Sequence, residues 1–200
     1  MSSVNHREAI LSAAAQLFAR FGYRRTSVED IAKRARIGKG TIYLYFATKE
    51  ELFGAIAHQI WGNVLLELAA AVKRARTPEA KLRAYVQGRA HQLIRVTKDL
   101  KVQHDLALEL QEAAAPFLKE LWEAERGLLE GILVEGNAAN AFVVRHPHAL
   151  ALAMQTVVRG LERSMIDPQN GPELRRAIDD LLDVLVRGIT STAGPVPDQA

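Results

Sequence analysis

Apolar residues recur at helical spacing from one end of the chain to the other, and the most telling stretch runs from Thr26 to Phe46. Val28, Ile31, Ala32 and Ala35 stand at i, i+3, i+4 and i+7, which gives a short helix a single apolar face. Thr26 followed three residues later by Glu29 reads as a capping box, so this helix is predicted to begin at Ser27. Lys33, Arg34 and Arg36 then point mainly outward. After Arg36-Ile37-Gly38 the pattern restarts with Ile42 and Phe46, with Tyr43 beside them, and predicts a second short helix over about Lys39–Phe46. Two short helices across a tight turn form a helix-turn-helix, whose second helix enters a major groove by its N-terminal end. That end is Gly38-Lys39-Gly40-Thr41. Glycine twice at a helix start costs roughly 1 kcal/mol each against alanine, and close approach of a phosphate backbone is one reason to accept the cost.

The remaining helices follow from the same periodicity. A first helix over about Asn5–Phe21 carries Ile10, Ala14, Leu17, Phe18 and Phe21 on one side and ends at Gly22. Tyr23-Arg24-Arg25 is an exposed basic link, suited either to phosphates or to solvating a loop. Thr48 with Glu51 forms a second capping box, so a fourth helix starts at Lys49 and continues through Leu52, Phe53, Ile56, Ile60, Val64, Leu68 and Val72 until Thr77-Pro78. Such a helix is ~40 Å long. Pro78 opens a fifth helix, a sixth runs from about Asp99 to Ala113, and Pro116 restarts the chain into a seventh that ends near Gly136. The eighth, Pro147 to about Met165, is apolar almost all round in its middle, and the ninth, from Pro172 to about Thr190, carries a stripe of Leu174, Ile178, Leu181, Leu182, Leu185 and Ile189. A helix apolar on every side needs a partner beyond its own neighbours, so these two are expected to pair with a second copy as a four-helix bundle; the competing reading makes the eighth the central helix of a monomer. No segment has strand period. The fold class is therefore all-α: an N-terminal three-helix domain over residues 1–48, joined by a long helix to a helical domain over 49–192, with a tail over 193–200 expected to be disordered.

Charge separates the two ends. The first 50 residues hold nine basic and four acidic side chains, a surplus of +5, while the chain as a whole has a net charge of +3. A basic head on a slightly acidic body suits a protein that presents one end to nucleic acid. The chain has no cysteine, which excludes disulfides, thiolate metal sites and a cysteine redox sensor. No N-terminal targeting pattern and no uninterrupted apolar run of membrane-spanning length stand out, so the expectation is a cytoplasmic protein with no membrane partner. Enzyme motifs are also missing: no phosphate-binding glycine loop, no His-Glu-x-x-His, no serine-centred elbow. His146-Pro147-His148 has no supporting cluster, and His91 and His104 fall on separate helices, so neither a metal nor a cofactor is expected.

The run from Thr26 to Leu52, including Gly38-Lys-Gly-Thr-Ile-Tyr-Leu-Tyr-Phe-Ala-Thr-Lys-Glu-Glu-Leu52, resembles the DNA-binding signature of the tetracycline-repressor-like (TetR) family. The match is close over roughly the first quarter of the chain. It departs at Arg36, where the family commonly has glycine in the turn, and at Tyr45, where histidine is frequent. Arg36 then carries some strain if that position needs a positive φ. The resemblance implies a homodimeric transcriptional regulator, most simply a repressor that binds a palindromic double-stranded operator and is released by a small-molecule effector. It also implies DNA contacts from Thr26, Ser27, Arg36, Lys39, Gly40, Thr41, Tyr43, Tyr45 and Lys49, with Lys39 and Thr41 the candidates for base edges and Thr26, Tyr43 and Lys49 for phosphates.

An effector pocket between helices is expected to use large side chains and a few polar groups, for which Trp61, Tyr85, Gln87, His91, Gln103, Phe117, Trp122, Met154 and Gln155 are candidates. With no concentrated charge among them, the ligand is expected to be mostly apolar or aromatic. The candidate dimer face comprises Met154, Val157, Val158, Leu161, Met165, Ile178, Leu181, Leu182 and Leu185. Three other classes fit the sequence less completely: a sequence-tolerant architectural DNA binder, a ligand-independent regulator, and an enzyme on a helical bundle.

Overall fold

A computed structural model describes residues 3–99, 102, 104–165 and 171–190. Among them are nine α-helices and no strand: α1 Ser3–Phe21, α2 Val28–Ala35, α3 Lys39–Tyr45, α4 Lys49–Arg74, α5 Pro78–Asp99, α6 His104–Ala114, α7 Lys119–Ala138, α8 Pro147–Met165 and α9 Gly171–Ile189. A 3-10 turn over Ala115–Phe117 links α6 to α7, so the seventh helix begins three residues after Pro116. The fifth helix opens at Pro78 as expected, and Thr77 caps it by accepting a hydrogen bond from the Ala80 amide at 3.2 Å. The tail beyond Thr190 and the side chains of Gln103, His104 and Met165 lie outside the described residues.

By packing the chain divides into two units, one of residues 1–65 and 93–122 and the other of residues 66–92 and 123–200, with the boundaries inside α4, α5 and α7. In the first unit α1 lies against α2 and α6, and α2 against α3. Its core is Ile10, Ala14, Phe18, Ile31, Ile42, Phe46, Leu52, Phe53 and Ile56, closed from the distal part of the chain by Ala114 and Leu118. Phe18 meets Phe53 edge-on at 5.2 Å between ring centroids, and Tyr23 lies 4.8 Å from Phe53. Gly54 admits the Phe117 ring: a Cβ there would stand 2.5 Å from its Cδ1, so the helix surface is hollowed to receive the ring.

The second unit is built around Leu68, Leu82, Tyr85, Leu129, Ile132, Leu133, Ala151, Met154 and Leu182, all buried. After α7 the chain turns at Asn140, whose φ is +54°, and lays the Phe142 ring over Gly136. The Asn137 side chain clamps the exit, donating to the Val144 carbonyl at 2.7 Å and accepting from the Val144 amide at 2.9 Å. An isolated bridge pairs Phe142 with Thr190, with the Val143 amide donating to the Ile189 carbonyl at 2.7 Å.

The eighth helix buries one side against its own unit: Ala151, Met154 and Gln155 face inward, while Leu152, Thr156 and Val157 are exposed. Among the described residues one helix, α4, has the length and apolarity of a membrane span by composition alone, with a mean hydropathy of 1.3 over its most apolar window. Its charges are Lys49, Glu50 and Glu51 at the start, Glu67 within the helix and Lys73 and Arg74 at the end, and Leu52, Phe53, Ile56, Ala57, Val64, Leu68 and Val72 along it are buried.

Candidate nucleic-acid interface

The helix-turn-helix is fixed locally by caps. Thr26 does not cap α2, because its hydroxyl turns inward to the Gly22 carbonyl at 2.8 Å and its side chain is buried. The next residue takes the role. Ser27 Oγ accepts from the Asp30 amide at 3.2 Å and the Asp30 carboxylate reaches back to the Ser27 amide at 3.4 Å, a reciprocal box one position later than the sequence suggests. The Ser27 hydroxyl also donates to Asp30, and these bonds hold the Asp30 carboxyl below the usual carboxylate range.

At the other end α2 stops on Arg36, whose φ of +58° and ψ of +43° are left-handed. The Arg36 amide bonds back to α2, and the Ile37 amide donates to the Ala32 carbonyl at 3.1 Å. This is the geometry for which glycine is the unstrained choice.

Buried Ile42 and Phe46 anchor α3, with Ile37 and Tyr45 packed partly into the same core. The opposite face presents Lys39, Gly40, Tyr43 and Leu44 to solvent, with Thr41 half-buried beside them. Leu44 is 83% exposed. Gly38 is the N-cap and makes no side-chain cap, and a Cβ at Gly40 would meet no atom within 4 Å. The two glycines are therefore not needed to fit α3 into its own protein.

Lys39 is not a free cation. Its ammonium bonds the Glu29 carboxylate of α2 and sits 5.8 Å from the centroid of the Tyr43 ring. The bond lowers the Glu29 pKa and raises that of Lys39.

Lys49, which the resemblance assigns to a phosphate, is engaged within the chain. Its ammonium donates to the carbonyls of Tyr23 at 3.1 Å and Thr26 at 3.2 Å, and lies 4.4 Å from the Tyr23 ring centroid. It thereby ties the start of α4 to the link before α2. Thr48 caps α4 as expected, and Glu51 reaches back to the Ala47 amide at 2.7 Å. The Tyr23 hydroxyl completes the clasp by donating to Glu50 at 2.7 Å; burial first, and then this bond, pushes the phenol up to about 12. Beside this clasp, Arg25, Lys33 and Arg34 rim an open groove of about 600 Å³ floored by Leu17 and Phe21.

The remaining candidates separate. Trp61, Phe117 and Trp122 belong to the first unit, where they pack on or near its core. Tyr85, Met154 and Gln155 are buried in the second. Gln87 and His91 face solvent, Gln87 donating to Asp179 at 3.3 Å. The sequence reading passed over the polar group beside Tyr85: buried Arg89 donates through Nε to Glu125 at 2.8 Å, and the Tyr85 hydroxyl donates to the same carboxylate oxygen at 3.1 Å. Arg89 continues the inward stripe of Leu82, Tyr85 and Val86, but nothing along the chain marks Glu125 as its partner. Of the candidate dimer residues, Met154, Ile178 and Leu182 are buried within their own unit, Val158, Leu161 and Leu185 are half-buried, and Val157 and Leu181 are exposed together with Leu152 and Val184. His148 meets Glu130 at 2.9 Å.

Residues 10–56 match the family model for bacterial regulatory proteins of the tetR family. The chain is 31% identical over 130 residues to a fatty acid metabolism regulator protein of Bacillus subtilis, covering 64% of this chain and 66% of that one. It is 27% identical over 194 residues to the HTH-type transcriptional regulator YhgD of Bacillus subtilis, covering 94% and 99%. Among solved structures it is similar to the transcriptional regulator FadR from Bacillus subtilis in complex with stearoyl-CoA, with a TM-score of 0.63 and 26% identity over 91% of this chain and 98% of that one. The helix-turn-helix held by Ser27, Arg36 and Ile42, and the agreement along the rest of the chain, place this protein in the TetR family of DNA-binding transcriptional regulators.

Proposed function

We propose that the protein is a homodimeric repressor of the bacterial cytoplasm that binds a palindromic operator and is released by a mostly apolar small molecule. The observation that carries the DNA half of this reading is the outer face of α3, where Lys39, Gly40, Tyr43 and Leu44 stand exposed on a helix anchored by Ile42 and Phe46. Lys39 and Thr41 read base edges, Leu44 meets a thymine methyl, and Tyr43 and Ser27 bond phosphates. Gly40 leaves room for the backbone of the duplex.

The dimer half is supported by the apolar side chains that α8 and α9 leave open: Leu152, Val157, Leu181 and Val184. Two heads related by a two-fold axis fit half-sites about one helical turn apart, ~34–36 Å, or a multiple of it. A ligand that favours a conformation with differently spaced heads lowers operator affinity by its differential affinity for that conformation. Fatty acyl compounds are the first effectors to try, because one similar structure holds stearoyl-CoA and one relative is a fatty acid metabolism regulator.

The test is selection of duplexes from fragmented genomic DNA at two salt concentrations. Enrichment of one inverted repeat, with loss of binding on adding an acyl compound, is the expected result. Enrichment without any ligand effect would make it a ligand-independent regulator, and no enrichment at either salt would make it an architectural binder.

A further inference from the structure

Lys39 and Glu29 form an ion pair across the turn of the helix-turn-helix. Glu29 is the second residue of α2 and Lys39 the first of α3; both side chains are about half exposed, and they are bonded across the turn. Little else fixes Lys39. The neighbouring glycines add no side chain, and its other contact is the Tyr43 ring.

An unrestrained lysine on the edge of a DNA-binding helix is attracted to any phosphate, because its ammonium is a point charge on a flexible stem. A lysine held by a carboxylate is different. Its net charge is cancelled locally, so it contributes little to binding of arbitrary sequence, while its ammonium keeps donors for acceptors placed in one direction. The guanine edge, with O6 and N7, offers two acceptors together, and an adjacent cytosine amino group can bond a carboxylate. On a wrong sequence the pair either breaks or brings an anion toward phosphates. Specificity is a difference of affinities, and an element that weakens the wrong complex serves it as well as one that strengthens the right one.

We propose that Glu29 is a positioning residue for sequence discrimination: it holds Lys39 as a reader of a guanine edge and withholds it from the phosphate backbone. The proposal rests on the reading that α3 enters the major groove.

The test uses the full-length chain and its variants Glu29→Gln, Lys39→Gln and the double substitution, each checked by thermal melting. Affinity is measured for the selected operator and for a random duplex of equal length across a salt series. Glu29→Gln frees the ammonium, so it is expected to tighten random duplex by up to about fivefold, the upper range for one exposed ion pair. It should also steepen the logarithmic salt dependence by about 0.9, one further phosphate neutralised. Operator affinity should change less, so discrimination falls. In the Lys39→Gln background the same change should do nothing to the ratio or the slope. Unchanged slope and ratio in Glu29→Gln overturn the proposal. So does an equal effect with and without Lys39, which would mean that Glu29 acts only by repelling phosphates. If no duplex is preferred by the parent protein, the regulator reading fails on its own, and the random-duplex slope still decides the pairing.

Discussion

Single residues in the turn divide between those the protein needs for itself and those it does not. Gly40 belongs to the second kind, with open space where a Cβ would be. Gly40→Ala should therefore raise the thermal stability of the first unit, by up to about 1 kcal/mol from helix propensity. It should at the same time weaken operator binding, which melting and a binding isotherm on one sample would show. Equal or tighter binding would mean that no backbone approaches α3 there. Arg36 was legible from the sequence for the opposite reason: the family pattern marked a position suited to glycine, and its φ of +58° agrees. The capping residue was misread by one, because a Thr-x-x-Glu box over Thr26–Glu29 and a Ser-x-x-Asp box over Ser27–Asp30 overlap in the sequence. Only the inward hydrogen bond of Thr26 to Gly22, a contact with the end of the preceding helix, decides between them.

Elements are held to one another by groups whose sequence signature points elsewhere. Lys49, Glu50 and Tyr23 read as a basic entry to α4 and an exposed link, yet they form a clasp between α4 and the segment before α2. The clasp has a pH signature. The folded-state phenol of Tyr23 stands at about 12, above the ordinary 10.0 of a tyrosine, so its contribution to stability is complete below the lower value and lost as pH rises through the higher. An alkaline titration followed by tyrosine absorbance should show a phenol ionising near 12. Glu50→Gln should lower that midpoint only in part, since burial is the larger cause; an unmoved midpoint would remove Glu50 from the account. Helix positions, by contrast, were legible almost throughout, because the period of apolar residues, the cap at Thr48 and the prolines that open α5 and α8 are local signals. The buried Arg89, Glu125 and Tyr85 group was not, since its members are brought together from α5 and α7 and only packing reveals the pairing.

At the scale of the whole molecule, assembly is the quantity to measure. The ninth helix leaves Val184 68% exposed and Leu181 partly so, while Ile178 and Leu182 on the same helix serve its own core. Sequence periodicity recovered the stripe but not which edge of it stays open, because α9 is apolar across more than one face. If that open edge pairs two copies, Val184→Glu should convert the dimer to a monomer in light scattering without lowering the melting temperature of the separate chain. It should also reduce affinity for an inverted repeat far more than for a half-site. A variant that stays dimeric would exclude this edge from the interface.

The first unit carries one more consequence, in Glu109. Its carboxylate on α6 accepts a hydrogen bond from the Arg24 amide at 3.0 Å and occupies the space beside Gly22, and Leu118 closes the core beneath Phe53. The DNA-reading head is thus completed by chain that lies far downstream of the motif. Exchanging heads between relatives at residue 48 would sever that support: a working chimera has to inherit residues 93–122 from the same parent as the first 65. The packing unit is thus discontinuous in sequence, and substitutions in α6 are expected to alter which head the chain can carry.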